Sequence, residues 1–333
     1  SGGTFIVNTL GSTSTTRGVF EINPNAVFSM SGGSIQIQRN SSNTTADFIL
    51  SANSHSVSGG TLKFGNASSI SSRRFRLISN KILHNLHIDG NFSHNLHILN
   101  NGITLNGDLN IGNNDTLTTN GYSFEVKGNI INNGIINSGN SLLTLTGTSS
   151  QSINGSSISK IKKLTLNNPS GLNLIGTGNL QIDSQLIITN GIITTNSNMV
   201  IISDNGIISN AGPGKFINGF CRKIGDESFV FPVGKGLVYA PISISAPSSN
   251  TDHFTASYYS NTAHPTYDTT LKLSPVTSLS EKEYWLLNRT NGSSAVSVTL
   301  SWDNTRSGTI ASTNDLLVAR WDGAKWVSEG NAS

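Results

Sequence analysis

The sequence is poor in charged and aromatic residues and contains a single cysteine. Asp, Glu, Lys and Arg make up 12% of its 333 residues, and Phe, Trp and Tyr make up 7%. Because Cys221 has no second cysteine to pair with, an internal disulfide is excluded, and we interpret it as a buried structural residue. No apolar run reaches the length that a membrane-spanning helix needs, so we expect no membrane insertion.

The few charges are nearly balanced. Residues 1–212 hold 11 Lys and Arg against 8 Asp and Glu, and residues 213–333 hold 10 of each. A protein that binds nucleic acid through its phosphates needs clustered Lys and Arg, so we expect no nucleic-acid partner. The best basic cluster, Arg73–Arg76, is short. We interpret it as a solvated face, with anion or polysaccharide contact as the alternative.

What the sequence has in abundance is a triplet of apolar, variable and apolar residues, bracketed by Asn and Gly. Each copy predicts a short strand with two side chains on one face and one on the other. The copies are Leu62–Phe64, Leu86–Ile88, Leu96–Ile98, Leu109–Ile111, Phe124–Val126, Leu143–Leu145, Leu164–Leu166, Leu172–Leu174, Leu180–Ile182 and Val200–Ile202. Short strands repeated along so much of a chain are typical of a stacked β-solenoid.

The spacing of the repeats predicts the length of each turn. A motif of Ser-Gly-Gly-[Ser/Thr]-apolar-x-apolar begins at Ser1, Ser31 and Ser58, which indicates turns of roughly 27–30 residues. Each Gly-Gly is expected to form a corner from which a strand then begins. From about residue 80 the triplets lie closer together, which indicates turns of about 20–24 residues with three short faces. We therefore predict a right-handed parallel β-helix over residues 1–212, with Asn and Gly at its corners.

The composition changes at Ala211–Gly214. All four Trp and five of the six Tyr lie beyond this break. Longer alternating strands are predicted at Val230–Val233, Ala240–Ser245, Phe254–Tyr258, Tyr284–Leu287, Val296–Trp302, Leu316–Trp321 and Lys325–Val327. Asp322 and Gly323 are the expected turn of a hairpin. These strands predict an antiparallel, Ig-like β-sandwich over residues 213–333, acting as a capping or linking module.

The second part resembles a module of very large secreted proteins of Bacteroidetes. The residues that carry the resemblance are Gly219–Gly225, Phe229–Gly234, Tyr239–Ile244, Glu283–Trp285 and Val318–Gly323 with Trp326. Those proteins are similar to adhesins or surface-layer components, combine the module with Asn/Gly-rich β-helical repeats, and are typically exported by the type 9 secretion system. The resemblance implies a secreted, cell-surface location. We find no signal peptide, and because the sequence starts within a repeat, we expect it to be a piece of a longer protein.

The same resemblance implies two sites of O-glycosylation. Bacteria of this group glycosylate secreted proteins at Asp-[Ser/Thr]-apolar and Asp-[Ser/Thr]-Thr. Asp115–Leu117 and Asp268–Thr270 match these forms, which makes Thr116 and Thr269 the candidate acceptors.

Four histidines are the only cluster with the identity of metal ligands: His84, His87, His94 and His97. Strand alternation turns His87 and His97 outward, and their separation in sequence is less than one turn, so these two are expected on different faces. We favour a solvated face or corner for all four, and predict neither a metal nor a cofactor. For Asp303, Asp315 and Asp322, calcium binding is disfavoured because no dense acidic loop surrounds them.

No pattern in the sequence identifies catalytic residues. The eight carboxylates of residues 1–212 are isolated from one another, whereas glycan lyases and hydrolases need paired or metal-bound carboxylates. We therefore expect no enzyme. Trp302, Trp321 and Trp326 are candidates for glycan contact, although packing in the core is favoured because Trp302 and Trp321 end strands with the alternation typical of a core.

The preferred interpretation is a non-catalytic structural or adhesive part of an extracellular cell-surface protein. Its expected partners are a surface glycan or a neighbouring cell-surface protein, together with adjoining domains of its own chain. Two alternatives remain: a carbohydrate-binding module of a secreted polysaccharide-degrading protein, and a β-helical polysaccharide lyase or hydrolase.

Overall fold

The computed structural model of the chain describes residues 2–8, 19–40, 46–66, 72–90, 92–308 and 312–331. These residues form two compact units, unit 1 (Ser1–Ala211) and unit 2 (Gly212–Ser333). Both units are built from β-strands, and the one helical element in the described ranges is a 3-10 helix at Thr313–Asp315. None of the described helical segments has the length and hydropathy to span a membrane.

The described residues of unit 1 form twenty-one strands. They are β1 (Thr4–Val7), β2 (Phe20–Ile22), β3 (Val27–Ile37), β4 (Phe48–Leu50), β5 (Ser54–Phe64), β6 (Arg73–Ser79), β7 (Asn85–Ile88), β8 (His94–Ile98), β9 (Ile103–Leu105), β10 (Leu109–Ile111), β11 (Thr116–Thr118), β12 (Phe124–Val126), β13 (Ile130–Asn132), β14 (Ile135–Asn137), β15 (Leu142–Leu145), β16 (Gln151–Asn154), β17 (Ser159–Asn167), β18 (Leu172–Leu174), β19 (Leu180–Asn190), β20 (Ile193–Ile202) and β21 (Ile207–Ser209).

The strands of unit 1 stack in parallel columns, which makes this unit a β-solenoid, as predicted. One column runs through β1, β3, β5, β7, β10, β13, β16, β18 and β20. A second runs through β9, β12, β15, β17, β19 and β21. A third contains β2, β4, β6, β8, β11 and β14.

The turns shorten along the solenoid. Phe5 pairs with Ile35, and Ile35 pairs in the next turn with Leu62. Farther along the same column, Leu109 pairs with Ile130, so the paired positions there lie much closer together in sequence. The tightening that the repeat spacing predicts is therefore confirmed.

The core of unit 1 is built from the apolar positions of the triplets. All ten triplets lie in strands, and every flanking apolar side chain is at most 4% exposed. The middle residue points outward and is half-buried in nine of them, while Ile201 is buried. Stacked turns thus bury continuous apolar ladders, at roughly 25 cal/mol per Å² of apolar area removed from water.

A strand begins directly after the first Gly-Gly pair, since β1 starts at Thr4, but the two later pairs differ from this prediction. Strands β3 and β5 run through these pairs, and their register shifts between Met30 and Ser34. Gly33 and Gly60 take φ values of 73° and 93°, so the bend that was predicted is present. The strand continues because a bulge lets the ladder of hydrogen bonds resume after the bend.

Asparagine occupies several corners of unit 1. Asn114 has a φ of 64°, the left-handed conformation that an Asn at a corner was expected to adopt. Between successive turns, the Asn190 side-chain amide donates a hydrogen bond of 2.7 Å to Asn167 Oδ1. Stacked asparagines therefore add polar ladders on the outside of the solenoid.

Ten strands are found in the described part of unit 2. They are β22 (Ile217–Ile224), β23 (Phe229–Phe231), β24 (Val233–Lys235), β25 (Val238–Tyr239), β26 (Ile242–Ile244), β27 (His253–Tyr259), β28 (Tyr284–Asn291), β29 (Val298–Leu300), β30 (Ala319–Trp321) and β31 (Trp326–Ser328). Each of the seven predicted strands overlaps at least one of them.

Small antiparallel sheets form unit 2. Strands β22, β27 and β28 are antiparallel neighbours, β23, β26 and β29 form a second sheet, and β30 and β31 form the predicted hairpin. Cys221 is fully buried, as predicted, and burial raises the pKa of its thiol.

Candidate functional site

Five aromatic side chains of unit 2 pack together: Tyr259, Tyr267, Tyr284, Trp321 and Trp326. Tyr259 stacks on Tyr284 with ring centroids 4.7 Å apart and ring planes 6° apart. Tyr267 meets Tyr284 and Trp321 at centroid distances of 6.0 Å. Trp326 lies 6.3 Å from Tyr267 and 5.8 Å from Trp321. We call these five residues the aromatic cluster.

Cross-strand pairing places four members of the aromatic cluster. Tyr259 is paired with Tyr284 between β27 and β28, and Trp321 is paired with Trp326 in the hairpin of β30 and β31. Directly opposed residues of an antiparallel pair have neighbouring side chains, so each strand pair delivers two adjacent rings. Tyr267 comes from the connection between β27 and β28 and links the two ring pairs.

The aromatic cluster is only partly covered. Trp326 is 9% exposed, and the other four side chains are half-buried. Burial and the neighbouring hydroxyls of Tyr259 and Tyr267 raise the pKa of Tyr284, so this phenol is neutral in the physiological pH range. Partly exposed Tyr and Trp rings offer an apolar body and a polar handle at one place. Sugars need this combination, because their C–H faces pack on rings while their hydroxyls form hydrogen bonds.

The hairpin supplies charged groups beside Trp321. Asp322 accepts hydrogen bonds from the backbone N–H groups of Ala324 and Lys325, both at 2.9 Å, and these bonds lower the pKa of its carboxyl. Arg320 of β30 and Glu329, which follows β31, form an exposed ion pair of 2.7 Å, and strand alternation places Arg320 on the face of the hairpin opposite Trp321. The half-buried indole of Trp321 is therefore followed directly, in the turn of the hairpin, by a carboxylate that the backbone holds in place.

The structure separates the three predicted tryptophans. Trp321 and Trp326 belong to the aromatic cluster, whereas Trp302 lies beyond the end of β29 and makes no ring–ring contact within the described ranges. Core packing is confirmed for Trp326 but wrong for Trp302, which is 40% exposed. Its predicted strand ends earlier, so alternation no longer fixes the direction of its side chain.

The four histidines do not form one site. His87 lies on β7 of the first column and His97 on β8 of the third, as expected for different faces. Both side chains are half-buried, and His84 precedes β7. His94 contradicts the expectation of a solvated position, because it is 1% exposed and its ring packs edge to face on Phe75.

Asp115, the residue before β11, is fully buried. Its Oδ1 atom accepts a 2.8 Å hydrogen bond from the backbone N–H of His94. The backbone of Gly90 also forms a hydrogen bond with this carboxyl. Burial, opposed by these hydrogen bonds, raises the pKa of the carboxyl from 3.8 to about 6.

Asp115→Asn should therefore stabilise unit 1 at high pH only. Because the folded pKa lies above the unfolded one, the stability that Asp115 contributes is complete below pH 3.8 and is lost as the pH rises through about 6. A neutral amide of the same shape avoids this loss, which is about 2–3 kcal/mol at 1.36 kcal/mol per pKa unit. Chemical denaturation of both proteins at pH 4 and pH 8 measures it. Equal stability at pH 8 would show that the ionised carboxylate is not disfavoured.

The two candidate glycosylation sites have different surroundings. Thr116 is half-buried in β11, between β8 and β14, and the Asp115 of its motif is buried. Thr269 lies in a turn outside the strands. The carboxylate of Asp268 accepts hydrogen bonds from Thr270 N–H and Oγ1–H at 2.8 and 2.7 Å, and these bonds lower its pKa.

Several of the carboxylates considered as catalytic or calcium-binding candidates form an ion pair or a hydrogen bond with another residue of the same unit. In unit 1, Asp89 pairs with Lys63 at 2.6 Å, and Asp183 lies 3.4 Å from Lys160. In unit 2, Asp303 accepts the backbone N–H of Thr305 at 2.7 Å, and Asp315 lies in the 3-10 helix.

A larger network in unit 2 was not anticipated from the sequence. Glu283 is 5% exposed, forms an ion pair with Arg306, and accepts the hydroxyl of Tyr258 at 2.9 Å. Arg306 also lies over the rings of Tyr258 and Trp285, 5.9 and 5.4 Å from their centroids. Burial and the hydrogen bond to Glu283 raise the pKa of Tyr258 to about 12. Tyr258, Glu283 and Arg306 lie far apart in the sequence and meet only in the folded unit.

Comparison with models of known protein families, with curated proteins and with solved structures gives no match to this chain.

Proposed function

We propose that the chain is a non-catalytic structural and adhesive part of an extracellular cell-surface protein. In this proposal unit 1 is a stiff scaffold and unit 2 makes the adhesive contact. The stacked, buried ladders of unit 1 support the first part, because parallel turns with continuous hydrogen bonds resist bending. Its outward residues change from turn to turn (Lys63, His87, Asn110), which suits a solvated surface.

The observation that carries the adhesive role is the aromatic cluster of unit 2. Four of its five rings are partly exposed, and the backbone-bound carboxylate of Asp322 follows Trp321 in the hairpin turn. Partly exposed Tyr and Trp side chains dominate binding energy where they lie at an interface. The ligand class we propose is a surface glycan. The same observation favours the second candidate, a carbohydrate-binding module of a polysaccharide-degrading protein.

A glycan array probed with the full chain tests the adhesive role. We expect binding to a restricted set of glycans, and at least tenfold weaker binding by Trp321→Ala, equivalent to about 1.4 kcal/mol. Trp302→Ala is the matched control, because it removes an exposed indole outside the aromatic cluster, and we expect its binding to be unchanged. An array without signal, or equal loss in both variants, would overturn the assignment of the aromatic cluster.

The proposal includes finer structural features. Right-handedness of the solenoid is supported by the strong preference of parallel β-connections for that hand. An antiparallel, Ig-like sandwich in unit 2 is supported by its two sheets with antiparallel pairing. Export, by a type 9 or another route, and glycosylation at Thr116 or Thr269 rest on the resemblance to Bacteroidetes surface proteins. The intact mass of the protein from its native host would reveal a glycan attached at Thr116 or at Thr269.

A further inference from the structure

Tyr259 and Tyr284 hold their rings face to face across two strands of unit 2. The two residues are directly opposed between β27 and β28, so their side chains leave the sheet on the same side. Their ring centroids lie 4.7 Å apart and their planes 6° apart, the shortest and most parallel ring contact among the described residues. Parallel rings at this separation are in van der Waals contact, with carbon atoms roughly 3.5–4.0 Å apart. Strand pairing thus holds two phenol rings against each other.

The hydroxyl groups of this tyrosine pair also lie close to each other. Burial raises the pKa of Tyr284, and the neighbouring hydroxyls of Tyr259 and Tyr267 raise it further, which requires these groups to be near one another. When a phenol is oxidised by one electron, the carbon atoms beside the hydroxyl carry much of the unpaired electron. Because the two rings are parallel and their hydroxyl ends are close, these reactive carbon atoms face each other.

An oxidant in solution can reach the pair. Both rings are half-buried, in contrast to Tyr258, which is 3% exposed and donates its hydroxyl to Glu283. Tyr267 lies 6.0 Å from Tyr284 and 6.0 Å from Trp321, measured between ring centroids, and both of these neighbours are half-buried. An electron removed from either neighbour can therefore be replaced from Tyr284 through rings in contact.

We infer that Tyr259 and Tyr284 form a site of oxidative cross-linking, where a peroxidase with hydrogen peroxide joins the two rings. Each phenol gives up one electron and its hydroxyl proton and becomes a phenoxyl radical. A carbon–carbon bond then forms between the ring carbons beside the two oxygens, and the hydrogen atoms of those carbons move to the oxygens. The two protons and two electrons that are released reduce hydrogen peroxide to two water molecules.

The cross-link joins β27 to β28 covalently and closes the connection of residues 260–283 between them. Because the chain has one cysteine, no internal disulfide can supply such a bond. A bond that closes a long connection restricts the unfolded chain and thereby stabilises the folded state. The inference concerns the stability of unit 2 and does not depend on whether the aromatic cluster binds a sugar.

Treatment of the full chain with a peroxidase and hydrogen peroxide, at low protein concentration, tests the site. We expect a monomer with the emission of dityrosine and a mass lower by two hydrogen atoms, in which the peptides of Tyr259 and Tyr284 are joined. The midpoint of thermal unfolding of unit 2, followed by tryptophan emission, should rise by about 5 °C or more. Tyr259→Phe keeps the ring but lacks the hydroxyl, so the treated variant should contain at least fivefold less dityrosine and show no such rise.

Tyr239→Phe is the matched control, because Tyr239 is half-buried in the same unit and its one ring contact within the described residues is with Phe216. We expect its dityrosine yield and unfolding midpoint after treatment to match those of the unchanged protein. Equal loss of dityrosine in both variants, cross-links mainly between molecules, or joined peptides that contain Tyr267 in place of Tyr259 would overturn the site. A monomer without dityrosine would do the same, and a cross-linked monomer with an unchanged midpoint would contradict the stabilising role.

Discussion

Gly155→Ala is expected to destabilise unit 1 by at least about 3 kcal/mol. Gly155 follows β16 with a φ of 122°, a conformation that side-chain-bearing residues rarely adopt. A Cβ atom at this position would overlap the backbone carbonyl of Asn132, which lies in the preceding turn. Because that atom belongs to the paired strand β13, it cannot move aside without breaking the stack. Faster hydrogen exchange in the peptides around β16 and β18 measures the effect.

Gly121→Ala is the control for the backbone conformation alone. Gly121 also has a positive φ, of 84°, but no atom lies within 4 Å of the position of an added Cβ. The substitution should therefore cost only about 1–2 kcal/mol. Equal costs at the two positions would mean that close approach between turns does not limit which residues the solenoid accepts.

Glu283→Ala should destabilise unit 2 by about 3–5 kcal/mol. The Arg306 side chain is 9% exposed, so removal of its partner leaves a buried charge without compensation. The hydroxyl of Tyr258 loses its acceptor at the same time. All four tryptophans of the chain lie in residues 285–326, so tryptophan emission during denaturation reports on this unit.

A double variant separates the loss of the ion pair from the loss of packing. Glu283→Leu combined with Arg306→Met replaces both charges by apolar groups and should recover most of the stability lost in Glu283→Ala. Glu283→Gln keeps an acceptor for the Tyr258 hydroxyl, so its free energy of unfolding should lie between those of Glu283→Ala and the double variant. A cost below about 1 kcal/mol for Glu283→Ala would show that Arg306 finds other compensation or reaches water.

Much of the architecture follows from local sequence. The triplets predict strands because alternation alone decides which two side chains face inward, and the distances between triplets give the turn length. The hairpin of Trp321 and Trp326 is predictable because Asp322 and Gly323 favour a tight turn. None of these inferences needs knowledge of a distant contact.

Other features depend on contacts that alternation and turn signals do not encode. His94 begins β8 and its side chain turns into the solenoid, where Phe75 of the preceding turn receives its ring. The strand through Gly33 continues across its bend because the neighbouring turn bends with it. Both outcomes depend on the turn above or below, which a single stretch of sequence does not specify.

Only two of the five residues of the aromatic cluster were predicted from the sequence as candidate contact residues. Trp321 and Trp326 could be named because they are rare residues in one predicted hairpin. Tyr259, Tyr267 and Tyr284 join them through pairing between β27 and β28 and through the connection between those strands. The concentration of five tyrosines beyond residue 211 was the available signal, but it gives no positions in space.

A crystal structure of the chain with an oligosaccharide selected on the glycan array would decide between an adhesive and a catalytic protein. We expect an intact sugar with one ring packed against the exposed face of Trp321 or Tyr259, and hydrogen bonds to the hairpin of β30 and β31. A sugar bound away from the aromatic cluster would contradict the adhesive contact proposed here. A cleaved glycosidic bond next to paired carboxylates would contradict the non-catalytic role.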